Sequence, residues 1–260
     1  PMGISERAST GDFMKIFFLD CGRKYYSVDS IKQLIDNAAA AGFNYIQLAV
    51  GNDGLRLMLE DMSWTIGGTT YESATVKDAI HSANRTYDDD RKSVRADDGN
   101  YYPYSPVTDE LTQSEMTEII AYAGLKGMSV IPCVNTPGHM NTILAAAQSL
   151  TNGNYSYNES STTIDVTNST AVEATKALLQ KYINYFKGQG CKYFNMGADE
   201  YANDKYTGGS MGFGNLQDSS KYSYYVQYVN QVADLIKNAD MIPMAFNDGI
   251  YFRNNTTSGT

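Results

Sequence analysis

The chain has 260 residues with 42% hydrophobic side chains, enough to bury one sizeable core, and its 29 acids against 20 bases give a formal net charge of -9. No cluster of Lys or Arg is long enough to track a phosphate backbone, so nucleic acid is excluded as an expected partner. No apolar run approaches the roughly 20 residues of a membrane span, and the opening PMGISERASTGDF lacks the apolar centre of a signal peptide, so an exported protein would have lost its signal already.

In chain order, KIFFLD, SVDSIKQLIDNAAAAG and FNYIQLAV alternate a β-branched or aromatic run with a helical-period segment, the order of a βαβ unit. Residues 1–14 read as an N-terminal extension to a single domain over 15–260. An insertion from about Gly51 to Asp109 is rich in Gly, Asp, Asn and Tyr. The helix LTQSEMTEIIAYAGLKG then starts with Thr112 and Glu115 at capping-box spacing and leads into the strand MSVIPCV. NTPGHMNTILAAAQSL is expected to be a helix opened by Pro137, followed by a polar loop from Thr151 to Thr163. NSTAVEATKALLQKYINYFKGQG is a helix, CKYFNMG a strand, SKYSYYVQYVNQVADLIKNA a helix and MIPMAFND a fifth strand, before the polar tail RNNTTSGT.

Five strands separated by helices suit an open doubly wound sheet or most of a (β/α)₈ barrel, and nothing like GxGxxG follows the first strand. Polar residues collect where each strand ends: Asp20 and Arg23, Asn52 and Asp53, Asn135 and His139, Asp199 and Glu200, Asn247 and Asp248. Each alone reads as a cap or turn residue. Five in step read as one rim of a TIM-type barrel, where active sites gather.

Other residues have plainer readings. Cys21, Cys133 and Cys191, an odd and widely spaced set, are expected as buried free thiols, and His81 and His139 are too few for a site built on several imidazole ligands. Asp88, Asp89 and Asp90 lack the ordered spacing of an EF-hand and read as a solvated turn. Trp64 reads as a packing residue of the insertion, and most of the 21 tyrosines as packing, although a ring face with a hydroxyl also suits sugars.

The segments from LDCGRKYYSVDS to LRLMLEDM, LTQSEMTEIIAYAGLKGMSVIPCVNTPGHMNTIL, YFNMGADEYAND and PMAFNDGIY resemble glycoside hydrolase family 20, in particular its bacterial cell-surface exo-β-N-acetylglucosaminidases. An arginine after the first strand, a PGH after the third and an Asp-Glu pair after the fourth appear in order, over most of the chain from about Lys15 to Tyr251. The resemblance implies that Arg23 holds hydroxyls of a terminal sugar, that Asp53 and His139 line the same pocket, that Asp199 orients the acetamido group and that Glu200 is general acid and base. It places Asn247 and Asp248 near the pocket. It also implies a glycan substrate, no metal or organic cofactor, and an extracellular or cell-surface location.

Adjacent acids fit this chemistry. A glycosidase with its own nucleophile needs two carboxyls about 5 to 5.5 Å apart on opposite sides of the anomeric carbon, which neighbours on one backbone segment do not naturally supply. Where the 2-acetamido oxygen of the substrate attacks instead, one acid protonates the glycosidic oxygen while its neighbour accepts the acetamido N–H. The two carboxyls should also repel and raise at least one pKa. Members of the family complete the barrel with three further strands that add a tryptophan wall around the acetamido group, and those segments are absent from this sequence. The expectation is therefore a barrel truncated after about five strands, completed by further segments of a longer gene product, by another chain, or not at all. Release of terminal β-linked N-acetylglucosamine is the expected activity, with lacto-N-biosidase or a non-catalytic glycan-binding remnant as the alternatives.

Overall fold

A computed structural model describes residues 13–91, 93–95, 101–103, 106–207, 210–218 and 220–248. The tail RNNTTSGT and residues 1–12 of the N-terminal extension lie outside them. Five strands form one parallel sheet in the order in which the chain makes them: β1 (Ile16–Asp20), β2 (Tyr45–Asn52), β3 (Ser129–Thr136), β4 (Tyr193–Gly197) and β5 (Ile242–Met244). A doubly wound sheet reverses its strand order at a switch point, whereas each strand here pairs with its successor, the arrangement of a TIM-barrel arc. The rings of Phe18 on β1 and Phe246 just past β5 meet edge to face at 6.2 Å. The arc therefore curls until its outer strands look at each other across the concave side, without closing among the described residues.

The helices between strands are α1 (Val28–Ala40), α2 (Ser73–Asp89), α3 (Gln113–Leu125), α4 (Asn141–Thr151), α5 (Ser169–Gly188), α6 (Phe213–Asp218) and α7 (Tyr222–Asn238). Strand alternation sends Leu48, Val50, Val134, Phe194 and Met196 to the convex side, where they join Ile31 and Ile35 of α1, Ile119 of α3 and Ile183 of α5 in one buried cluster. Each such side chain contributes about 1.5–3 kcal/mol by leaving water. The intervening polar residues face the concave side, where Asn195 Nδ2 donates to Gln47 Oε1 at 3.3 Å.

The expected capping box forms: Thr112 Oγ1 accepts from the Glu115 backbone, and the Glu115 carboxylate accepts from the Thr112 backbone. Cys21, Cys133 and Cys191 are buried free thiols, their pKa values raised by burial. Trp64 is 2% exposed and donates from Nε1 to the Ala174 carbonyl at 2.7 Å, a packing residue.

Two expectations need correction. Pro137 does not open a helix, because β3 runs to Thr136 and α4 starts only at Asn141. The backbone between is committed elsewhere, with Pro137 O accepting from Ile164 N, His139 O from Asp53 N and Met140 N donating to Thr162 O. The insertion after β2 contains α2 and the hairpin Trp64–Ile66 with Thr69–Tyr71. The inner stripe of α2 runs Val76, Ile80, Asn84, Asp88, and its polar second half hides the helical period. Asp88 is no solvated turn residue: it is 3% exposed and accepts from Arg56 Nη2 at 2.5 Å and Thr108 Oγ1 at 2.7 Å.

Among the described residues no helix is long and apolar enough to cross a membrane, and no group of three or more His, Cys, Asp and Glu is placed to hold a metal ion.

Candidate active site

The strand ends build one continuous polar network. At the end of β1, Asp20 Oδ1 accepts from the Gly22 and Arg23 backbone N–H groups, and Oδ2 accepts from Arg23 Nη1 at 3.2 Å and Asn52 Nδ2 at 2.9 Å. Thus fixed, Arg23 donates from Nε to Asp53 Oδ2 at 2.7 Å. Asp53 Oδ1 lies 2.9 Å from His139 Nδ1, and the other ring nitrogen of His139 lies 3.0 Å from Glu200 Oε2 and 3.8 Å from Asp199 Oδ2. With the Nδ1 proton assigned to the Asp53 bond, Nε2 faces the acid pair.

Asp53, His139 and Glu200 hold φ angles of 60°, 52° and 46°, and Ala198 and Ala202 flank the acid pair at 63° and 51°. Such left-handed backbone is costly for residues with a Cβ and persists where surrounding bonds over-determine it. Those bonds are present here. Asp53 is clamped at both backbone ends, N to His139 O at 2.6 Å and O from Thr142 N at 2.9 Å. Beneath the acid pair, Tyr225 donates to the Ala198 carbonyl and Tyr201 to the Ile164 carbonyl, from an aromatic layer in which the Phe213 and Tyr225 rings meet at 4.9 Å. Tyr201 and Tyr225 are fully buried, so this part of the tyrosine content is packing.

The two acids differ in environment. Asp199 accepts at Oδ1 from Asn135 Nδ2 at 2.6 Å, and its pKa is raised, by burial first and also by the charge of Asp248. Glu200 is 52% exposed at its side chain, and its backbone N–H donates to Asp248 Oδ2 at 3.0 Å. Burial would raise Asp53 as well, but hydrogen bonds from His139 and Arg23 and their charges outweigh it and bring its pKa down to about 2. Burial lowers His139, and the bond to Asp53 with the charges of Asp53 and Asp199 more than reverses this, so its pKa is raised.

Of the sequence-derived candidates, Arg23, Asp53, His139, Asp199 and Glu200 fall in one cluster, with Asp248 attached through the Glu200 backbone. Asn247 is exposed, and none of the cluster's hydrogen bonds among the described residues involves it. Sequence reasoning missed two contributors from α2 and its end. Tyr87 donates to Asp53 Oδ2 at 3.2 Å, and Arg91 donates to the Tyr87 hydroxyl at 2.8 Å and to the Arg23 carbonyl at 2.9 Å. Their four-residue spacing, which stacks Arg91 on the Tyr87 ring at 5.1 Å, was the available signal.

Chemically, the cluster sets carboxylates against one guanidinium and one imidazole, an arrangement that favours positive charge in a bound reactant. Asp199 and Glu200 approach the same ring nitrogen of His139, so they lie side by side and do not flank a gap.

The model of the family described as glycosyl hydrolase family 20, catalytic domain, matches residues 15–257. The chain belongs to glycosyl hydrolase family 20. A solved structure of the pneumococcal exo-β-D-N-acetylglucosaminidase StrH is 37% identical to this family 20 chain, with a TM-score of 0.82, over 94% of this chain and 56% of that one. Among curated proteins, a beta-hexosaminidase of Vibrio furnissii is 26% identical over 128 residues, 49% of this chain and 18% of its own. A lacto-N-biosidase of Bifidobacterium bifidum is 33% identical over 90 residues, 35% of this chain and 8% of its own. The family 20 chain therefore spans little more than half of the solved relative and under a fifth of either curated one.

Proposed function

We propose that this family 20 chain carries the catalytic acids of an exo-acting β-N-acetylhexosaminidase that releases terminal β-linked N-acetylglucosamine by substrate-assisted, retaining hydrolysis. The observation that carries the reading is the side-by-side presentation of Asp199 and Glu200 to His139 Nε2, at 3.8 and 3.0 Å. Two carboxyls on one side serve two neighbouring points of one sugar and fit poorly with a nucleophile and an acid facing each other across it.

In this reading Arg23, held by Asp20 and Asp53, binds hydroxyls of the terminal sugar. Asp199, oriented by Asn135, accepts the acetamido N–H and so turns the carbonyl oxygen toward the anomeric carbon. That oxygen forms the new C–O bond as the glycosidic bond breaks, and Glu200 gives its proton to the departing oxygen. The carboxylate left on Glu200 then removes a proton from water as it opens the oxazolinium, restoring the acid and leaving a product of retained configuration. His139, tied to Asp53, holds Glu200 in place and shares its proton. The glycan partner and an extracellular or cell-surface setting belong to the same proposal.

Hydrolysis of a chromogenic β-N-acetylglucosaminide by the wild type and by Glu200→Gln tests it. The substitution should lower kcat by about 10² to 10⁴ while a thiazoline analogue of the oxazoline still binds. Turnover indifferent to Glu200→Gln rejects the mechanism, and release of a disaccharide as first product favours lacto-N-biosidase activity.

A further inference from the structure

The last paired residues of β3 and β4 are Thr136 and Gly197, so sheet register does not reach His139, Asp199 or Glu200, which all lie further along the chain. Another part of the chain does. Segment 160–164, between α4 and α5, bonds to both rim segments at once. Toward β3, the Thr162 carbonyl accepts from Met140 N at 2.8 Å and Ile164 N donates to the Pro137 carbonyl at 3.0 Å, on either side of His139. Toward β4, Thr163 Oγ1 accepts from Ala202 N and the Ile164 carbonyl accepts from the Tyr201 hydroxyl, each at 3.0 Å.

The largest set of these bonds ends on Asp204, the last residue of the stretch YFNMGADEYAND and one to which the proposed mechanism gives no task. Its Oδ1 accepts from Ser160 Oγ at 2.6 Å and Thr162 Oγ1 at 3.2 Å, and its Oδ2 accepts from Ser161 N at 2.8 Å and Ser161 Oγ at 3.2 Å. Ser160 is 3% exposed, and its Oγ accepts in turn from the N–H groups of Thr162 and Thr163 at 3.1 Å. Hydrogen bonds to an ionised acceptor are about twice as strong as neutral ones. The backbone they restrain is strained, with Glu200 and Ala202 at φ 46° and 51° facing His139 at 52°, and such backbone relaxes unless it is held. Relaxation would carry the acid pair away from His139 Nε2.

We propose that Asp204 is a positioning residue for the acid pair: through Ser160, Ser161 and Thr162 it fastens the segment carrying Asp199 and Glu200 to the segment carrying His139. The catalytic consequence of this placement rests on the proposed function above, whereas the placement itself does not.

The His139 imidazole reports the placement, because its ring meets Asp53 and Arg23 on one side and Asp199 and Glu200 on the other. Asp204→Ala should lower its NMR titration midpoint by about one pH unit as the acid pair moves off. Ser160→Ala breaks the same fastening without a change of charge and should move the midpoint in the same direction. In the Asp199→Asn, Glu200→Gln background, where both acids are already neutral, Asp204→Ala should move it no further. With the chromogenic substrate, Asp204→Ala should lower kcat about tenfold and change KM less than about twofold, since Arg23 is untouched. The inference is overturned by a midpoint that Asp204→Ala leaves unmoved, that Ser160→Ala leaves unmoved, or that shifts equally when both acids are neutral. Lower thermal stability with kcat and midpoint unchanged overturns it too. Turnover indifferent to Glu200→Gln, with the midpoint shifts as expected, overturns the proposed function and leaves Asp204 holding the acid pair.

Discussion

Asn135 Nδ2 donates to Asp199 Oδ1 at 2.6 Å, tying the end of the third strand of the arc to the segment that follows the fourth. The bond favours the ionised acid against the burial that raises its pKa. Because the proposed role requires the carboxylate, activity should fall as pH drops through that raised value. Asn135→Ala should push the acid limb of the pH–rate profile to higher pH and lower kcat about 10- to 100-fold, the worth of one charge-assisted bond. An unmoved limb would separate Asn135 from Asp199.

Asp53 Oδ1 lies 2.9 Å from His139 Nδ1, and each group shifts the titration of the other. The depressed Asp53, brought to about 2 from 3.8, contributes stability that is present above its ordinary value and lost as pH falls through about 2. The raised His139 contributes stability that is present below its ordinary value and lost as pH rises through the raised one. Asp53→Asn should lower the His139 titration midpoint, read by NMR, and cost about 2 kcal/mol at neutral pH in urea unfolding. That difference should shrink as pH approaches 2.

Gly197 ends β4 at φ 73°, and a Cβ built on it would sit 1.8 Å from Asn135 Oδ1. Gly197→Ala should cost about 3 kcal/mol or more and displace the Asn135–Asp199 bond with it. Gly68, with φ 84° and open space around it, is the control. There the same change should cost only about 1–2 kcal/mol and leave turnover intact.

Arg56 and Asp88 form a buried pair, 1% and 4% exposed at their side chains, and Arg56 Nε also donates to the carbonyl of Gly22, next to Arg23. Asp88→Ala leaves that guanidinium without its counter-ion and should destabilise the fold by about 3–5 kcal/mol. If Gly22 shifts with it, KM for the chromogenic substrate should rise more than kcat falls.

Much of the fold follows from local pattern. The capping box at Thr112 and the apolar periods of α1, α5 and α7 are properties of contiguous residues, and they place helices between strands before any tertiary contact forms. The strand-end acids, Arg23 and His139 were legible for the same reason, since a parallel strand followed by a helix fixes which end of the strand faces the site. Tyr87 and Arg91 were not. The stripe that docks α2 includes Asn84 and Asp88, whose partners Leu55 and Arg56 lie about 30 residues away, so no local apolar period announces the helix.

The strand and helix order, the chemistry of the rim and the adjacency of Asp199 with Glu200 are all written in contiguous stretches of the chain. That the strands run in sequential order in a curled arc, that Asp199 is half-buried while Glu200 is exposed, and that His139 stands between Asp53 and the acid pair follow from the three-dimensional arrangement alone. Burial and electrostatic coupling depend on groups brought together from distant parts of the chain, which local sequence does not encode.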